Sequence, residues 1–251
     1  LFEVRNEGRV AVLELHHGKA NAIDVEFCKA LKKEFKRLAK SNASAVVITS
    51  AGAIFSAGVD LLRAAEGGRK YLKSLVTVID EMYEEIFFHP KPVIAAINGH
   101  AIAGGCVLAC CADYRVLAKD SGRMGVTELQ VGVPFPPFAF EVLRATTSPM
   151  HFPKFTATGE TFDTEGALAN GFADEAVSSD RLMARALEKA AQLAAIRAEA
   201  FAANKLHTRA PARQFLRNDR SGLQEKIMKV WTAPETAENI RAYVARTFKK
   251  S

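Results

Sequence analysis

Lys91-Pro92-Val93-Ile94-Ala95-Ala96-Ile97-Asn98-Gly99-His100-Ala101-Ile102-Ala103-Gly104-Gly105-Cys106-Val107-Leu108-Ala109-Cys110-Cys111-Ala112 holds two elements and the junction between them. Residues 93–97 are an apolar, partly β-branched run that reads as a buried strand, and Asn98-Gly99 is a turn signal that ends it. Small residues follow, and 104–112 then continue as an apolar helix before a second strand at 114–118. Working outward, 45–49 is a β-branched strand that also runs into small residues, and 71–87 is an amphipathic helix through Leu75, Val78, Met82 and Ile86. Two short strands at 2–5 and 10–15 precede a helix starting near Asp24, with Cys28, Leu31, Phe35 and Leu38 on one face. Short strands alternating with helices predict an α/β layer architecture.

Beyond about Asp180 the strand signal ends, and 181–205, 212–231 and 234–249 read as three helices. A core of residues 1–195 and a helical C-terminal region of residues 196–251 are therefore expected. One-sided apolar helices must cover something, either that core or a neighbouring subunit.

With 251 residues, 49% hydrophobic and 25% charged, the chain has enough apolar material for one large folded domain, which excludes a disordered protein. Its longest apolar stretch, 101–112, is about half of the roughly 20 residues a membrane-spanning helix needs, so no membrane span is expected. No basic segment followed by an apolar one opens the chain, and a cytoplasmic location is expected. Three of the four cysteines, Cys106, Cys110 and Cys111, sit in the apolar run, where a thiol acts as a small hydrophobe, and Cys28 lies on the first helix. With no ligand spacing among the six histidines, no metal site is expected. The net charge of +6 favours a polyanionic ligand, but the basic residues are scattered and no nucleic-acid motif accompanies them.

The chemistry concentrates in two small-residue segments that follow buried strands. These are Ile54-Phe55-Ser56-Ala57-Gly58-Val59-Asp60-Leu61 and Asn98-Gly99-His100-Ala101-Ile102-Ala103-Gly104-Gly105-Cys106. Backbone of this kind approaches a ligand closely and points free N–H groups at it. The second segment opens a helix, whose first N–H groups lack intrahelical partners. Both segments read as loops, and one donor from each would make an oxyanion hole, while tight turns and close packing explain each segment taken alone. The glycine spacing at 99–106 lacks the Lys and Ser/Thr of a phosphate loop, no G-x-G-x-x-G is present, and Ser56 has no G-x-S-x-G context.

Taken in order, these segments resemble the crotonase family of enoyl-CoA hydratases and isomerases. The match includes Asn21-Ala22, the stretch from Phe55 to Leu61, Lys91 to Gly99 with Ala103-Gly104-Gly105-Cys106, and Glu128-Leu129-Gln130-Val131-Gly132-Val133. The resemblance implies a spiral of ββα units with a C-terminal helical trimerisation region, a homotrimer or homohexamer, and no metal or redox cofactor, coenzyme A being part of the substrate. It puts the Val59 and Gly104 N–H groups at the oxyanion positions. Asn21, Ala22, Ser56, Ala57, Asp60, Leu61 and Leu62 fall where the family wraps CoA.

Departures from the family decide the reaction expected. Hydratases of the family carry two catalytic glutamates, and here the first position is Val107 while only the second, Glu128, remains. A single carboxylate opposite an apolar residue resembles the enoyl-CoA isomerase branch, in which one glutamate removes a proton at C2 and returns it at C4. The hydratases' glycine-rich turn is replaced by Pro134-Phe135-Pro136-Pro137-Phe138, so Phe135 and Phe138 are expected either to dry the acyl pocket or to pack in the core. Asp60 and Asp113 read as hydrogen-bond acceptors rather than catalysts, and His100 as a structural histidine. Arg246, Lys249 and Lys250 read as a solvated helix end or as contacts to CoA phosphates. The alternatives are a hydratase using Glu128 alone, a hydrolase or decarboxylase of the same family, and, from another class, a non-catalytic acyl-CoA binding protein.

Overall fold

A computed structural model describes residues 1–218 and 221–248. The chain opens with a hairpin of β1 (Phe2–Glu7) and β2 (Val10–Leu15), followed by α1 (Val25–Ala39). Asp24 caps α1, its carboxylate accepting from Phe27 N–H at 2.7 Å. Next come β3 (Ala45–Ser50), β4 (Ile54–Ser56), α2 (Leu61–Glu66) and α3 (Gly68–Phe87). The pattern repeats as β5 (Val93–Ile97), β6 (His100–Ile102) and α4 (Gly104–Cys110), and again as β7 (Tyr114–Ala118), β8 (Met124–Gly125) and α5 (Glu128–Val131). After α6 (Pro137–Thr146), α7 (Phe152–Thr158), β9 (Thr161–Phe162), α8 (Thr164–Asn170) and β10 (Glu175–Val177), the described remainder is helical.

In each repeat the first strand joins a six-stranded sheet of order β1-β2-β3-β5-β7-β10, and the second joins a four-stranded sheet of order β4-β6-β8-β9. This is the expected spiral of ββα units. All pairs of the large sheet are parallel except β1 with β2. Strands β3 and β5 are buried at every residue because both faces are covered, which explains why their sequences are apolar without alternation. Leu13, Leu15, Val46, Ile48, Ala95 and Ile97 face α1, α3 and α4, whereas Val12, Ala45, Val47, Ile94, Ala96 and Val116 face α9 (Leu182–Ala194) through Leu182, Ala186 and Ala190.

Two expectations need correction. The small-residue segments after β3 and β5 are not loops throughout, for each contains a three-residue strand, and β4 pairs in parallel with β6. Strands this short have no periodicity of their own and exist through their pairing. Among the described residues, five α-helices follow Asp180 where three were expected, the first of them, α9, lying within residues 1–195. The expected helix 181–205 breaks between α9 and α10 (Ala198–Thr208), where Arg197 is extended, and α11 (Ala210–Arg217) starts with Pro211 in its first turn. Then α12 (Ser221–Trp231) and α13 (Pro234–Phe248) fold back, placing Trp231 and Ile240 in the same apolar cluster as Leu13 and Phe35.

The return is anchored by charge. Lys205 Nζ lies 2.7 Å and an Arg209 guanidinium nitrogen 2.8 Å from the two carboxylate oxygens of Asp113, in the turn between α4 and β7. Asp113 also accepts from Val93 N–H at 2.8 Å, so one carboxylate joins the C-terminal region to the central sheet. Burial pulls the Lys205 ammonium down to about 8.

Candidate active site

Gly58, at φ +82°, and Gly104 bring the two small-residue segments into contact: a Cβ built on Gly58 would lie 3.0 Å from Gly104 N and 2.8 Å from Ile102 O. A Cβ on Gly105 would lie 2.2 Å from Ser56 O, so the α4 entrance can sit against β4 only with glycine there. Between them Ala103 takes φ +50° and ψ −127°, a region almost confined to glycine. It is held there from both sides. Its N–H donates to Gly125 O at 2.8 Å, and its carbonyl accepts from Cys106 N–H at 2.9 Å and Val107 N–H at 3.2 Å. Gly104 is the first helical residue, and its N–H makes no backbone hydrogen bond among the described residues.

Val59 is prepared differently. It forms a parallel bridge with Ile23 in which Ile23 N–H donates to Gly58 O at 2.7 Å and Asp60 N–H donates to Ile23 O at 3.0 Å. Such a bridge uses the groups on either side of Val59, leaving its own N–H pointing away from Ile23.

Both segments border a cavity of about 220 Å³ that Val107, Val131, Val133, Pro136, Ala139 and Trp231 also line. Glu128, the first residue of α5, enters this cavity. It is 7% exposed, its Oε2 has no hydrogen-bond partner among the described residues, and burial pushes its carboxyl up to about 8. Among the described residues no other carboxylate lines the cavity. The arrangement suits proton transfer near neutral pH, since the base is desolvated and its pKa lies near the working range.

The other expected site residues divide by what their side chains do. Ala57 and Leu61 line the cavity. Asn21, at φ +46° and buried, spends its amide on Ile54 O at 3.1 Å and Phe55 O at 3.2 Å, and its Oδ1 accepts from His17 N–H. Ser56 is buried with its hydroxyl donating to Asn21 O at 2.8 Å, and half-buried Ala22 lies between the two cavity segments' anchors at Asn21 and Ile23. Asp60 caps α2 by accepting from Arg63 N–H, while Leu62 is 60% exposed on α2. Asp113 is an acceptor in the anchor described above, and exposed His100 accepts from Arg123 N–H through Nδ1. Arg246 stacks over the Tyr243 ring, and Lys249 and Lys250 lie outside the described residues.

Phe135 and Phe138 do not line this cavity, contrary to one of the two roles expected of them. Phe138 packs edge-on to Phe87 in the core, and Phe135 packs against Phe140 on the far side of the 133–137 segment. Its apolar walls come instead from the valines, Pro136 and Trp231. Sequence reading also missed Tyr83, whose hydroxyl donates to Gly104 O at 2.7 Å, and Tyr243 and Thr247 of α13. Tyr83 is one more apolar-face residue of α3 in the sequence, and α13 reaches the site only through the chain's return.

The sequence pattern of the enoyl-CoA hydratase/isomerase family matches residues 5–248. The chain belongs to that family. Among curated relatives, this enoyl-CoA hydratase/isomerase family member is 32% identical to a carnitinyl-CoA dehydratase of Salmonella typhi over 98% of its own length and 95% of the relative's. It is 27% identical to the mitochondrial enoyl-CoA delta isomerase 1 of Mus musculus, over 74% and 65% of the two chains. In fold it matches a human mitochondrial Δ3-Δ2-enoyl-CoA isomerase with a TM-score of 0.93 at 24% identity, covering 100% of this chain and 99% of that one. Family membership assigns the chain to acyl-CoA thioester chemistry through an enolate. Among the described residues no helix is long and apolar enough to cross a membrane.

Proposed function

We propose that this chain is an enoyl-CoA isomerase that converts 3-enoyl-CoA to trans-2-enoyl-CoA with Glu128 as its single acid and base. The observation behind the reading is the cavity itself: among the described residues it holds one desolvated carboxylate, Val107 where the family's hydratases have their other glutamate, and two backbone N–H groups left without backbone acceptors. In the first step Glu128 takes a proton from C2. The C2–H electron pair moves into a dienolate whose oxygen accepts from Val59 and Gly104 N–H. In the second, Glu128 returns the proton to C4, the double bond comes to rest between C2 and C3, and the carboxylate is regenerated. Substrate and product are isomers, so the step needs no water, and the apolar walls keep water from intercepting the intermediate.

The identity to a carnitinyl-CoA dehydratase favours a second reading, loss of water from a hydroxyacyl-CoA. That reaction needs an acid for the departing hydroxide. Glu128 would have to serve as both base and acid, because the Tyr83 hydroxyl already donates to Gly104 O.

Purified protein given 3-enoyl-CoA, 2-enoyl-CoA and 3-hydroxyacyl-CoA in separate assays tests the two readings. Turnover of the first at a rate far above hydration or dehydration is expected. Rapid hydration of 2-enoyl-CoA would overturn the isomerase reading. Glu128→Gln should lower isomerisation by roughly 10²- to 10⁴-fold with acyl-CoA binding little changed. Val107→Glu should raise hydration by supplying a second carboxylate.

A further inference from the structure

Trp231 is the only tryptophan of the chain and is 2% exposed. It comes from α12, in the returning C-terminal region, and borders the cavity that holds Glu128. Its indole N–H donates to Pro134 O at 3.0 Å, pinning the ring to the 133–137 segment. That segment is a partition. Val133 and Pro136 line the inner cavity, whereas Pro134, Phe135 and Pro137 line a separate apolar groove of about 620 Å³, which Ile227, one helical turn before Trp231, also borders. Among the described residues the two linings share none.

The inner cavity is small. An apolar protein cavity of about 150 Å³ takes one benzene, six carbons, so at about 25 Å³ per group a volume of about 220 Å³ holds about nine non-hydrogen groups. The thioester carbonyl carbon and its oxygen take two of them, leaving room for about seven further carbons. We infer that Trp231 is the end wall of the acyl site and that the chain acts on short acyl-CoA thioesters, of about four to eight carbons. This rests on the proposed reading that the Glu128 cavity receives the acyl group.

Saturated acyl-CoAs, which cannot isomerise, separate the two ideas. Butanoyl-, hexanoyl-, octanoyl-, dodecanoyl- and hexadecanoyl-CoA would be titrated into the protein by calorimetry, with Trp231 emission read in parallel. Affinity should rise about fourfold per methylene up to about eight carbons and then stop rising. Emission should respond to hexanoyl-CoA and not to free CoA. Trp231→Ala removes the wall, and dodecanoyl-CoA should then bind at least tenfold more tightly than it does to the parent. Trp231→Phe keeps a ring there and should keep the parent's limit. The inference is overturned if affinity climbs steadily to hexadecanoyl-CoA in the parent, if bound hexanoyl-CoA leaves Trp231 emission unmoved, or if a folded Trp231→Ala protein keeps the parent's profile. Failure of every acyl-CoA to bind would instead remove the acyl-CoA reading of the cavity.

Discussion

Glu128 sits where a carboxylate is costly, and the cost has a pH signature. Its carboxyl titrates at about 8 in the folded protein against an ordinary value of 4.5, so between those values the folded state holds a proton that the unfolded state has lost. Its contribution to stability is therefore present below about 4.5, declines as pH rises, and is lost above about 8. Glu128→Gln removes this dependence. Urea unfolding should find the variant more stable than the parent at pH 9, by an amount on the order of 3–5 kcal/mol, and little different at pH 4.5. The same proton governs catalysis with the opposite preference, since only the carboxylate can act as base. Isomerase kcat/KM should rise about tenfold per pH unit and level off above about 8, and a flat profile from pH 6 to 9 would exclude Glu128 as the base.

At the level of elements, the site depends on two segments that can touch because one side is glycine. Gly105→Ala would drive a Cβ to 2.2 Å from the Ser56 carbonyl oxygen and 2.7 Å from the Ser56 carbonyl carbon and Cβ, none of which is the far end of a flexible side chain. A loss of about 3 kcal/mol or failure to fold is expected, read by thermal unfolding. Val59 offers a cleaner probe, because its bridge to Ile23 uses the groups of Gly58 and Asp60 and not the Val59 N–H. Val59→Pro deletes that donor while leaving both bridge hydrogen bonds available, and turnover should fall roughly 10²- to 10³-fold, whereas Val59→Ala should be nearly silent. Circular dichroism and acyl-CoA titration of the proline variant separate loss of the donor from loss of the loop, and full activity in a folded Val59→Pro protein would remove Val59 from the mechanism.

On the scale of the molecule, the cavity is closed by a part of the chain that reaches it only after α10 and α11 have been fastened down. Lys205 and Arg209 are buried cations that share Asp113, and Arg209 also lies 4.0 Å over the Phe87 ring. Asp113→Ala leaves both cations unpaired in the interior and removes the acceptor of Val93 N–H. A loss of about 3–5 kcal/mol is expected in urea unfolding. Because the loosened region carries Trp231, hexanoyl-CoA affinity should fall with it. Unchanged stability in Asp113→Ala would show that apolar packing alone holds the C-terminal return.

Much of this protein is legible in its sequence. The strand at 93–97, the helix after Asp24 and the helix expected at 71–87, which begins at Gly68, appear where the apolar patterning predicts them, because a buried strand or a one-sided helix writes its environment into consecutive letters. The family motifs pick out Val59, Gly104 and Glu128, and the structure brings all three to one cavity. What the sequence could not determine depends on contacts between distant segments. Strands β4 and β6 are three residues each and become strands by pairing. Phe135 and Phe138 stand where the family's hydratases have a glycine-rich turn, a substitution that fits pocket and core alike, and only the path of 133–137 turns them away from Glu128. Tyr83 reads as core until its hydroxyl meets Gly104 O, and Trp231 reads as one apolar residue on a late helix until the chain's return sets it against Pro134. Local sequence specifies which residues must be buried and which backbone must be small. Which apolar residue closes which cavity is a long-range packing result, decided by the tertiary structure.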